Sequence, residues 1–93
     1  MLSTTPINFD KINKEDMDKE ILRFGMIAEL DAISLYEQMA ANATNEGIRI
    51  MLLDIAKEEK THLGEFEALL LKLDEEQVNE LEAGEKEVEE KTE

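Results

Sequence analysis

Between Lys14 and Leu73 the chain carries one strong turn signal, Asn42-Ala43-Thr44-Asn45-Glu46-Gly47. On either side of it, apolar residues recur at helical spacing with no proline among them. This pattern predicts two long helices, from about Lys14 to Ala43 and from about Glu46 to Leu73, folded into an antiparallel hairpin. Asn13 is a candidate N-cap for the first. Glu15 and Asp16 follow in its first turn, where the helix dipole favours negative charge. Gly25 is the one weak point, costing about 1 kcal/mol against Ala inside a helix.

Past the hairpin, Asp74-Glu75-Glu76-Gln77 reads as a fresh N-cap with a capping-box Gln at the third position. It opens a short third helix carrying Val78, Leu81 and Val88. From Gly84 onward the chain is Glu/Lys repetition, expected as a frayed helix or a solvated linker. The predicted organisation is therefore an irregular leader over 1–12 around Pro6, a helical unit over 13–83, and an acidic tail or linker over 84–93. The fold class is all-α, with no β signal.

Projected at 100° per residue, Ile48, Leu52, Ile55, Glu59, His62, Leu63, Phe66 and Leu70 fall on one stripe of the second helix. Leu22, Met26, Glu29, Ala32, Ile33, Tyr36 and Ala40 do the same on the first. Two carboxylates and the chain's one histidine thus lie within apolar faces. Desolvating an unpartnered carboxylate costs several kcal/mol, so a cation is expected there. Glu29 lies about 15 residues before the centre of the turn and Glu59 about 15 after it, which puts both at one height of an antiparallel hairpin. A Glu three residues before a lone histidine is by itself an ordinary coincidence in a chain with 18 Glu. The apolar phase and the height match with Glu29 make it a metal site.

One lone Glu and one Glu-x-x-His are half of the ligand set of a di-iron carboxylate site in a four-helix bundle. Carboxylates bridge hard cations, and an imidazole caps each metal while leaving positions open. The other half must come from a second copy across a two-fold axis, with Glu59 bridging and Glu29 and His62 as terminal ligands. Tyr36, two turns past Glu29, either fills the core or lines the site. Glu58, Glu65 and Glu67 fall off the stripe and are expected in solvent. A second apolar face remains on each helix: Met17, Ile21, Phe24, Ala28 and Leu35 on one, Ile50, Leu53, Ala68 and Leu71 on the other. A hairpin cannot cover both of its faces, so more than one subunit interface is expected.

Composition narrows the function. A net charge of −14, from 24 acids against 10 bases, argues against nucleic acid and favours cations. With no cysteine there is neither a thiolate metal site nor a disulfide frame. No apolar run approaches the roughly 18 residues of a membrane span. The start, Met1-Leu2-Ser3-Thr4-Thr5-Pro6, lacks the basic and apolar regions of a signal peptide.

Glu29, Tyr36 seven residues later, and Glu59-Lys60-Thr61-His62 thirty residues after the first acid resemble the encapsulated ferritins, over residues 15–90. The resemblance implies ferroxidase activity at a di-iron site between two subunits, with metal ligands Glu29, Glu59 and His62. It also implies a homodimer, a decamer ring of five dimers, and passage of Fe³⁺ to the lumen of an encapsulin shell, bound or fused. That would place the protein in the cytoplasm, inside an encapsulin nanocompartment. Some members carry acids one residue before and two after the first ligand, as an outer metal-uptake site. Here those positions are Ala28 and Asp31, which implies a weak outer site at most. The chain ends in Glu89-Glu90-Lys91-Thr92-Glu93, without a Leu/Gly-containing shell-docking peptide. Two other readings stand beside this one: a rubrerythrin-like peroxidase half-domain, and a metal-free helical oligomer.

Overall fold

The structure, a computed structural model, describes residues 8–93. The first seven residues of the expected leader, Pro6 among them, lie outside that range. Three α-helices follow one another, α1 (Met17–Asn42), α2 (Glu46–Leu73) and α3 (Glu75–Thr92), with no strand among the described residues.

The first helix starts later than its sequence signal. Asn13 makes no side-chain cap and precedes a 3₁₀ turn, Lys14–Asp16, which leads into α1 at Met17. The described part of the leader is not loose either. Asn8 accepts a hydrogen bond from the Asp10 amide at 3.0 Å, starting a short turn over Phe9–Lys11. That turn sets the Phe9 ring edge-on against Phe24 of α1, with centroids 6.1 Å apart and planes at 79°. Edge-to-face is the arrangement the ring quadrupoles favour.

Between α1 and α2 the reversal is short because α2 is capped at once. Asn45 is extended, and its side chain accepts from the Ile48 amide at 3.0 Å. Arg49 pairs with Glu46 in the same first turn. That pairing holds the Glu46 carboxyl below its ordinary range and raises the Arg49 guanidinium.

α1 and α2 then pack antiparallel along their length. The buried apolar side chains lie at this seam: Ile33 and Ala40 on α1, Ala56 and Leu70 on α2. Two of the four are alanines, which let the backbones approach. Gly25 does the same one turn from Glu29. A Cβ there would stand 3.0 Å from two carbons of the Phe66 ring.

A single copy leaves much apolar surface uncovered. Ile21, Leu30, Met39, Ile48, Met51 and Leu53 are all exposed.

α3 is built differently. It runs through Thr92, so residues 84–92, expected as a frayed helix or a solvated linker, continue the helix. Glu and Lys are strong helix formers, and Asp74 caps the start. At the corner, Asp74 Oδ1 accepts from the Gln77 amide at 3.0 Å, as the capping signature predicts. Its Oδ2 accepts from Arg23 Nη2 on α1, also at 3.0 Å, and Arg23 Nη1 donates to Glu20 at 2.8 Å. No α3 residue is fully buried. The helix leaves the hairpin sideways, and the molecule measures 47 × 43 × 20 Å.

Candidate metal centre

Glu29 stands mid-way along α1, and Glu59 and His62 stand one turn apart on α2. The antiparallel packing brings them to one level, as the equal spacing from the turn requires. One ligand atom from each lies within 4.8 Å of the other two. His62 Nδ1 is 3.5 Å from Glu59 Oε2 and 3.8 Å from Glu29 Oε2. These separations are too long for hydrogen bonds. Donors each about 2.1 Å from one metal stand about 3–3.5 Å apart, so the His62–Glu59 separation matches that spacing and Glu29 would close by a few tenths of an ångström onto an ion.

Burial sharpens the reading. The Glu29 side chain is 17% exposed and Glu59 20%. Glu29 Oε2 is buried and has no hydrogen-bond partner. Leaving a carboxylate oxygen so orphaned costs the full desolvation of the group. Among the described residues, the imidazole of His62 is the basic group within ion-pair reach of either acid. Lys60 turns away to Glu37, at 3.0 Å. The donor set therefore fits a hard divalent cation held by two carboxylate oxygens and one imidazole nitrogen.

The imidazole is 47% exposed, so the cluster is open on one side.

The other expected residues fall as follows. Tyr36 is half-buried on α1, two turns from Glu29. Asp31 is half-buried and lies outside the three-residue cluster, since residues two apart on a helix do not face one another. Glu58 and Glu65 are exposed, as expected; Glu67 is half-buried instead. Gly25, Phe66, Arg23 and the second role of Asp74 were not singled out as functional from sequence. A helix-interior glycine was the one available signal.

A helical hairpin that offers two carboxylates and an imidazole between its long helices defines a ferritin-like protein. The chain belongs to the rubrerythrin family, whose model matches residues 20–93. It is 57% identical over 94 residues to a ferritin-like–encapsulin shell fusion protein of Pyrococcus furiosus, covering 99% of this chain and 27% of that one. The chain thus spans about a quarter of that relative's length. It is also similar to the crystal structure of the encapsulated ferritin domain from Pyrococcus furiosus, with a TM-score of 0.84 and 55% identity. That match covers 99% of this chain and 94% of the other.

Proposed function

We propose that the protein is a ferroxidase that oxidises Fe²⁺ to Fe³⁺ at a di-iron site completed between two subunits. The observation that carries this reading is the convergence of Glu29, Glu59 and His62 around a buried, unpartnered carboxylate oxygen. Glu29 and His62 act as terminal ligands and Glu59 as the bridge to the symmetry-related site. Two carboxylates favour the harder, more charged Fe³⁺ over Fe²⁺, which assists loss of the electron. O₂ or peroxide accepts the electrons. His62 presents Nδ1 to the cluster, and a hydrogen bond from Nε2 to an acceptor would fix the ring's tautomer and orientation. Tyr36 lines the same stripe, and Asp31 serves at most as a weak outer position for incoming iron.

The assembly follows from the half-site and from the uncovered apolar faces. We read the unit as a homodimer forming a four-helix bundle, with five dimers closing a ring. The similarity to the fusion protein and to the encapsulated ferritin domain supports work beside an encapsulin shell, bound or fused, inside the nanocompartment. Residues 13–83 would be the ferritin-like unit and 84–93 the acidic segment beyond it. An open ring has no interior to store a mineral, so the Fe³⁺ would pass to the shell lumen. Among the described residues, no helix is long and apolar enough to cross a membrane.

Stopped-flow iron oxidation tests this, followed by Fe³⁺ absorbance in the near ultraviolet. Glu29→Ala, Glu59→Ala and His62→Ala should each lower the initial rate by about 10–100-fold. Glu58→Ala and Glu65→Ala, both on exposed positions, should stay within about twofold of wild type. Equal loss across the whole set would mean that bulk acidity, not a site, drives the reaction.

A further inference from the structure

Gly25 and Phe66 occupy the turns of α1 and α2 directly next to the metal donors. Gly25 is four residues before Glu29, and Phe66 is four after His62. Residues four apart lie on one face of a helix, so the Gly25–Phe66 contact is stacked under the Glu29–His62 contact. A Cβ at Gly25 would meet Phe66 Cε1 and Cζ at 3.0 Å and Cδ1 at 3.1 Å. The glycine is not there for its backbone freedom, since no glycine has a positive φ among the described residues. The other glycines differ. Gly64 and Gly84 have nothing within 4 Å of an added Cβ, and Gly47 meets only its own cap residue, Asn45.

A helix pays for an interior glycine unless something needs the missing methyl. Here the Phe66 ring needs it. We propose that Gly25 and Phe66 form a spacer that sets the separation of α1 and α2 at the metal centre. Gly25 is then a positioning residue for Glu29, and Phe66 for His62. The inference rests on the metal-site reading above. Its logic is one of tolerance: a helix seam absorbs a shift of a few tenths of an ångström, whereas metal–ligand distances hold to about ±0.2 Å. A methyl at Gly25 should therefore be felt at the donors before it is felt in the fold.

The test measures Fe²⁺ binding to the full chain without oxygen, by titration calorimetry, beside circular dichroism of the metal-free protein. Gly25→Ala should raise the dissociation constant about tenfold or more while keeping the helical signal. Phe66→Leu, which cannot clash, should also fold and bind more weakly. The double variant Gly25→Ala/Phe66→Leu should recover to within about threefold of wild type, because the new methyl fills the space the ring leaves. Gly84→Ala should bind like wild type. Wild-type affinity in Gly25→Ala overturns the spacer. Should that variant not fold, wild-type affinity in Phe66→Leu overturns it equally. So does a double variant no better than the worse single one. Failure of the underlying reading looks different: wild type would not bind Fe²⁺, or Glu59→Ala would bind as well as wild type, and the spacer would fall with it.

Discussion

The hairpin and α3 are both long helices rich in charge, yet the fold holds them by opposite means. α1 and α2 share a seam that buries Ile33, Ala40, Ala56 and Leu70, and the candidate metal donors Glu29, Glu59 and His62 come together where these two helices pack. α3 buries no residue fully; Val88 and Leu81 are both exposed. Its first turn is capped by Asp74, whose carboxylate also ties the corner to Arg23 of α1, and Gln77 and Val78 are half-buried at that end. A helix fixed by packing resists change all along its length. A helix held chiefly at one end depends more on the groups there.

The largest contrast should appear on truncating apolar side chains. Leu70 is 3% exposed, and Leu70→Ala should cost about 2–5 kcal/mol in chemical unfolding of the metal-free protein. Leu81 is 45% exposed, and Leu81→Ala should cost less than about 1 kcal/mol. Similar losses at both positions would mean that α3 is packed after all, in an assembly that covers it.

Metal should sharpen the same division. Ligand at 100 times its dissociation constant stabilises the binding state by about 2.7 kcal/mol. Hydrogen exchange with Fe²⁺ should therefore slow around Glu29 and Glu59–His62, and the α3 amides should change little. If the proposed site is completed between two chains, native mass spectrometry should show Fe²⁺ shifting the protein to higher oligomeric mass. Protection spreading evenly into α3 would erase the distinction between the two regions.

The smallest effect concerns acid. The Gln77 backbone N–H, with Lys19 and Arg23 nearby, holds the Asp74 carboxyl below its ordinary range. A lowered folded value means the carboxylate stabilises the fold above the ordinary carboxyl range. That contribution fades as pH falls through the lowered value. The protection factor of the first-turn amides of α3, taken against the intrinsic exchange rate at each pH, should thus fall on acidification. Asp74→Asn keeps a good N-cap but removes the charge, so its protection should lose most of this pH dependence. An unchanged profile in Asp74→Asn would assign the acid response to other carboxyls.

Much of this protein was settled by sequence alone, because its signals are local or simply periodic. The turn at Asn42–Gly47, the apolar stripes and the Asp74–Gln77 cap depend on neighbours a few residues away. The levelling of Glu29 with Glu59 needs only a rise per residue and the place of the turn. The tertiary structure decided which faces meet and how closely. Phe9 against Phe24, Arg23 reaching Asp74 across 51 residues, and Phe66 lying on Gly25 are contacts no spacing rule specifies. They depend on the rotation of each helix about its own axis, and that rotation is set by all of the seam's side chains packing at once. The buried, orphaned oxygen of Glu29 is of the same kind: a sequence can place an acid on a face, but only packing can take the water from it.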